Sequence, residues 1–205
     1  LMPSGNDLRK NNFRAIQAFE EFRVDAGNKF KLVITSHFDE KTQRELLRLS
    51  KEVIFTGNVT EAELKWLYEN CKALLFVPEY EGLGLPILEA AEVDKPIVCS
   101  NLTVFNEMSV KAFYYVDQHN PTSIAKGLDN AVSKIDFDNK KKRYPKLLER
   151  YTWENTAQKA LGFIEENPNT YQIANKPNIA VFAPNPSGYS AIGKVVMLNH
   201  HALSR

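Results

Sequence analysis

Apolar positions Phe13, Ile16, Phe19 and Phe22 recur at three-residue intervals in an otherwise polar run, which predicts a helix over 7–24. Phe30 to Ile34 then predicts a buried strand, followed by a polar helix over about 39–50. Val53-Ile54-Phe55 predicts a short strand that ends at Thr56-Gly57-Asn58. Thr60 and Glu63 have the spacing of a capping box, opening a helix that holds Trp66 and Leu67. Ala73 to Val77 is apolar without a break, as expected of a strand covered on both sheet faces. Pro86 suits the first turn of the next helix, where its missing N–H would be an orphan donor anyway. Pro96 to Cys99 predicts another strand, and Asn120-Pro121 a cap and first turn for a helix over roughly 121–134.

Alternating strands and helices imply an α/β fold with a doubly wound, Rossmann-like parallel sheet. Such sheets bind ligands outside the carboxyl ends of their strands. The loops after Phe55 and Val77 lie at such ends. Residues 1–166 read as one domain. The Asn- and Pro-containing stretch 167–178 reads as a linker. Ile179 to Phe182, a Ser/Gly turn and a helix from about Ala191 read as the start of a following α/β module over 179–205. A helix predicted so close to Leu1 suggests a piece of a longer polypeptide.

A 205-residue chain with 43% apolar residues can build a full core without staples. The formal net charge of +1 argues against a dedicated nucleic-acid binder. Cys71 and Cys99 sit beside apolar, strand-like sequence and are expected to be buried thiols in a reducing compartment. No apolar run approaches membrane-spanning length. The expected location is cytoplasmic.

Candidate chemistry concentrates in Glu81-Gly82-Leu83-Gly84-Leu85-Pro86-Ile87-Leu88-Glu89. A glycine turn running into a helix offers free N–H groups at the positive end of the helix dipole. Glu89 falls about one turn inside that helix, and helical side chains lean back toward the N-terminus. Glu81 and Glu89 can therefore face one pocket floored by backbone donors. Ionised carboxylates only accept hydrogen bonds, which suits the hydroxyls of a sugar or ribose. The same residues also fit a plain loop–helix junction, where an acid in the first turn favours the dipole without any ligand. Three other features are expected to be bland. Lys140 to Arg143 reads as a solvated helix face, Trp66 and Trp153 as packing residues, and His200-His201 as no metal site.

The segment Glu81 to Glu89 resembles the E-x7-E signature of family-4 retaining glycosyltransferases, which have the two-domain GT-B fold. The similarity extends over residues 3–166 through Leu8-Arg9-Lys10-Asn11, Phe55-Thr56-Gly57-Asn58-Val59, Asp94-Lys95-Pro96-Ile97-Val98 and Tyr151-Thr152-Trp153-Glu154-Asn155-Thr156-Ala157. It implies the C-terminal, donor-binding half of that fold. By position, Glu81 would contact donor-sugar hydroxyls, and amides at Gly82, Leu83, Gly84 and Leu85 would meet sugar or phosphate oxygens. Glu89 would hold the ribose, and the Gly57, Asn58 and Val59 loop would border the base. Lys10 matches the basic residue on the pyrophosphate, and with Glu81 it forms the catalytic pair. Many members carry an Arg where this chain has Ser4, for which Arg9 is a substitute candidate. The resemblance implies no metal and no cofactor, the nucleoside-diphosphate sugar being the donor substrate. It also implies a glycan or lipid-linked acceptor held by a preceding domain, with peripheral contact at the inner face of a membrane. The alternative is a catalytically degenerate nucleotide-binding or interaction module within a tandem glycosyltransferase, residues 179–205 resembling the start of a second such module.

Overall fold

The computed structural model describes residues 1–109 and 111–166, so the linker, the following module and the His200-His201 pair lie outside the described residues. The chain divides into two units, Leu1–Glu149 and Arg150–Arg205. In the second, α9 (Trp153–Glu166) is described. The first holds α1 (Asn12–Asp25), β1 (Leu32–Ile34), α2 (Glu40–Leu46), β2 (Val53–Phe55), α3 (Glu61–Asn70), β3 (Leu74–Phe76) and α4 (Leu85–Glu92). There follow β4 (Ile97–Ser100), α5 (Thr103–Met108), β5 (Tyr114–Val116), α6 (Pro121–Val132) and α7 (Phe137–Lys141), with α8 (Tyr144–Arg150) at the boundary.

All strand pairs are parallel. β1 and β2 form one block in the register Leu32↔Val53, and β3, β4 and β5 form a second. Leu1 and Met2 join the blocks. Met2 bridges Ile34 in parallel and donates to the Val33 carbonyl at 2.8 Å. On the other side, Leu1 accepts from the Leu75 N–H at 2.9 Å and donates to the Ala73 carbonyl at 3.0 Å. The spatial order is thus β2, β1, Leu1-Met2, β3, β4, β5. Successive strands step outward from Leu1-Met2 to β1 and β2 on one side and then to β3, β4 and β5 on the other, so strand order reverses between Leu1-Met2 and β3, the switch point where doubly wound sheets bind ligands.

Several local expectations are met by atoms. Thr60 accepts from the Glu63 N–H at 3.3 Å, while Glu63 accepts from the Thr60 N–H at 2.7 Å, so the capping box opens α3. Asn120 caps α6 by accepting from the Ser123 N–H. β3 is buried at all three positions. Gly127 lets α6 press against β4 and β5, because a Cβ there would collide with Val116 and crowd Val98.

Other expectations are corrected. The helix placed over 7–24 begins only at Asn12, after a single 3-10 turn at Leu8–Lys10. Between them Asn11 takes a left-handed conformation, φ 58°, which Asn tolerates better than most residues. Phe13 is consequently exposed rather than part of the core. Trp66 and Trp153 are 61% and 39% exposed, so packing does not explain them. Cys99 is buried as expected, but Cys71 only half-buried; both are free thiols. The basic run is only partly a solvated face. Lys140 donates to the Phe113 carbonyl at 3.1 Å and lies over the Tyr114 ring, while Lys141 pairs with Asp94 at 2.7 Å.

Candidate functional site

An open cleft of about 480 Å³ lies at the carboxyl ends of the strands. Its walls come from both blocks of the sheet. Ser4 and Lys10 follow the Leu1-Met2 strand, Thr35 follows β1, and Asn58 and Val59 follow β2. Phe76 of β3, Leu64 of α3 and Pro86 of α4 complete it.

Lys10 is the cation of this lining. Its Nζ donates to Glu81 Oε2 at 2.8 Å, joining the loop after Met2 to the loop after β3. Both side chains are mostly shielded, 25% and 21% exposed, and the ammonium also lies 5.4 Å from the centre of the Phe76 ring. A second link is main-chain: Glu79 donates its N–H to the Arg9 carbonyl at 2.8 Å. Arg9 itself is committed elsewhere. Its guanidinium makes two hydrogen bonds to Asp7, at 2.9 and 2.7 Å, and this pairing holds the Asp7 carboxyl below its ordinary range.

Asn11 holds the whole rim. It is 4% exposed, and its amide donates to the carbonyls of Val77 at 3.0 Å and Gln118 at 2.8 Å. Its own oxygen accepts from Arg14, which also pairs with Glu79. The loops leaving β3 and β5 thus meet on one side chain adjacent to Lys10. Ser100 adds a buried hydroxyl donated to the Pro78 carbonyl at 2.6 Å.

Gly84 is the N-cap of α4, with φ 92°, and Pro86 stands in the first turn. A Cβ on Gly84 would lie 2.7 Å from the Phe105 ring, so both its backbone angles and its surroundings demand glycine. Gly82 has open space around it. Leu83 and Leu85 are about one-third exposed at the helix mouth. Further along α4, Glu89 accepts from the buried Tyr68 hydroxyl of α3 at 2.7 Å.

Of the residues singled out from sequence, Lys10, Asn58 and Val59 line the cleft. Glu81 joins them through Lys10. Gly57 flanks the Asn58 wall in a left-handed conformation, φ 69°. Gly82, Leu83, Gly84, Leu85 and Glu89 occupy the loop and helix behind Pro86, while Arg9 points to Asp7 on the exposed rim. Sequence reasoning missed Asn11 and Tyr68 as contributors. A buried amide in αL leaves no pattern in one sequence, but a Tyr four residues after Leu64 does share its helix face. Asp136, the N-cap of α7, and Asp138 within it do not line the cleft.

The description of the glycosyl transferases group 1 family matches residues 5–147, a span that contains Lys10, Asn11, the cleft loops and α4. The chain belongs to this family. Among relatives of this group 1 glycosyl transferase chain, the serotype-specific mannosyltransferase WbdA of Escherichia coli is 29% identical over 136 residues, covering 63% of the chain and 17% of that protein. An uncharacterized glycosyltransferase of Methanocaldococcus jannaschii is 31% identical over 155 residues, covering 70% of the chain and 37% of that protein. The chain therefore spans well under half of these relatives. Among solved structures, a glycosyltransferase from Rickettsia africae superposes with a TM-score of 0.68 at 18% identity, over 83% of this chain and 48% of that one. A UDP-forming α,α-trehalose-phosphate synthase from Burkholderia vietnamiensis gives 0.68 at 10% identity, over 84% and 44%. These likenesses establish the fold: an α/β unit with parallel sheets whose neighbours are GT-B glycosyltransferases.

Proposed function

We propose that this group 1 glycosyl transferase chain is the C-terminal, donor-binding half of a GT-B enzyme that carries out retaining, metal-independent transfer from a nucleoside-diphosphate sugar. The observation that carries it is the Lys10–Glu81 pair, held at 2.8 Å beside the cleft at the sheet's switch point. Lys10 would neutralise charge on the departing diphosphate, helped by the main-chain amides of Gly82 to Leu85 that lead into α4. In the transition state that charge grows, so a fixed ammonium in a shielded site lowers the barrier. Glu81, whose oxygens only accept, would hold donor-sugar hydroxyls. Gly57, Asn58 and Val59 would border the base, and Glu89 the ribose.

The acceptor would be a glycan or lipid-linked glycan, bound by a domain preceding residue 1. Relatives named as O-antigen chain mannosyltransferases support polysaccharide synthesis. Among the described residues no helix is long and apolar enough to cross a membrane, which is compatible with a cytoplasmic enzyme peripheral at the inner face. Calorimetric titration with UDP and GDP tests donor binding: millimolar or tighter binding that weakens in Lys10→Ala and Glu89→Ala supports it. Absence of binding by either nucleotide would sink it for this chain.

Ser4 favours a second reading. Its hydroxyl is spent on Asn12 at 2.5 Å, and Arg9 is held by Asp7, so among the described residues Lys10 stands as the single cation of the cleft lining. A degenerate module that binds nucleotide without turnover would show this economy. Full-length protein that binds nucleotide yet neither transfers nor hydrolyses a panel of donors would favour it.

A further inference from the structure

Tyr68 is 3% exposed, and its hydroxyl donates to Glu89 Oε2 at 2.7 Å across 21 residues of chain. The two side chains come from helices that follow different rim loops, α3 after residues 57–59 and α4 after residues 78–84. Leu64 and Pro86, which line the cleft, lie four residues before Tyr68 and three before Glu89. Residues at those spacings share a helix face, so the Tyr68–Glu89 bond sits one turn behind the cleft wall. Glu89, like other helical side chains, leans toward the N-terminus of its helix and hence toward the cleft.

We propose that Tyr68 is a positioning residue that fixes the Glu89 carboxylate for a ribose hydroxyl, an inference that rests on the assignment of Glu89 to the ribose. A free glutamate samples many rotamers, and holding it costs entropy when a ligand arrives. A buried ring anchors one oxygen before that happens. The other oxygen, Oε1, has no protein donor among the described residues and is left as the acceptor for ligand. The direction of the bond is also set. Burial, reinforced by the neighbouring Glu89 charge, pushes the Tyr68 phenol far above its ordinary value, so it remains a donor at any working pH.

The bland account is that a buried tyrosine merely needs a partner for its hydroxyl. The two accounts differ in what they do to sugar discrimination. The test titrates the 205-residue chain with UDP and GDP and with their 2′-deoxy and 3′-deoxy forms, in wild type, Tyr68→Phe, Glu89→Gln and the double variant. The expected result is a roughly tenfold weakening of ribonucleotide binding in Tyr68→Phe, the scale of a hydrogen bond to a charged group. Binding of at least one deoxy form should change little, and the double variant should be no weaker than Glu89→Gln. Glu89→Asp, which leaves Tyr68 in place but shortens the reach to it, should lose the same discrimination and serves if Tyr68→Phe does not fold. If Glu89→Gln abolishes ribose preference while Tyr68→Phe and Glu89→Asp preserve it, the positioning role is wrong and the ribose assignment stands. If the wild type shows no ribose preference, both fall together.

Discussion

The ammonium of Lys10 meets a carboxylate oxygen of Glu81 at 2.8 Å although the two are 71 positions apart in sequence. Their charges cancel at the mouth of the cleft, and a diphosphate would take the lysine as its own partner.

The two members of this pair should therefore fail differently. Lys10→Ala is expected to raise the Kd for UDP or GDP at least about tenfold, the scale of a charge-assisted hydrogen bond. Under the proposed assignment of Glu81 to the donor sugar, Glu81→Ala should leave nucleotide affinity nearly unchanged. In the full-length enzyme the same change should lower kcat about 100-fold or more. Calorimetry on the chain and transfer assays on the whole protein separate the two effects.

Glycines 82 and 84 lie two residues apart and should respond oppositely to one methyl group. Gly84→Ala combines a left-handed backbone with collision on Phe105 and is expected to cost about 2 kcal/mol or more. Gly82→Ala meets nothing and should stay within about 0.5 kcal/mol of wild type. Urea unfolding of both variants checks the contrast.

Asn11→Ala removes two amide donations to main-chain carbonyls and puts at φ 58° a residue that tolerates the left-handed region less well than asparagine. The expected loss is about 2–3 kcal/mol. Asn11→Gly accepts the backbone angle and should lose less, and the difference between the two unfolding midpoints reports the left-handed strain of alanine net of the extra unfolded-state entropy of glycine.

Acid should loosen one helix contact on the far side of the sheet. Glu20 accepts from Arg23 and from the buried Ser50 hydroxyl, and these bonds, Arg23 first, hold its carboxyl below the ordinary value of 4.5. A lowered folded value means the stabilisation is fully present above 4.5 and disappears as pH falls through the folded value. The stability gap between wild type and Glu20→Gln should be constant from pH 7 to about 5 and shrink toward pH 3. An unchanged gap at pH 3 would contradict it.

What sequence could reveal was local. Thr60 with Glu63, Asn120 with Pro121 and Pro86 announce helix starts because capping chemistry acts over three or four residues. The unbroken apolar run ending at Val77 announces a strand buried on both faces. β5, α5, α7, α8 and the 14-residue α9 were not predicted. The break at Asn11 was hidden because its left-handed turn is stabilised by carbonyls 66 and 107 residues away. Among the candidate site residues, Glu81 and Glu89 stand out by the glycine turn and helix start and Lys10 by the resemblance, whereas the donor from Tyr68 to Glu89 required knowing that α3 lies beside α4. The exposure of Trp66 has no explanation in the structure.

Leu1 and Met2 have a consequence beyond completing the sheet. The loop at 57–59 rides on one block of strands, and the loop at 78–84 on the other. Their separation is therefore measured out in main-chain hydrogen bonds along a two-residue seam. A slip of one residue there would translate one wall against the other by about 3.3 Å. The gauge of the cleft, and so the length of any ligand it could hold, is a matter of strand register before any side chain on its walls is considered.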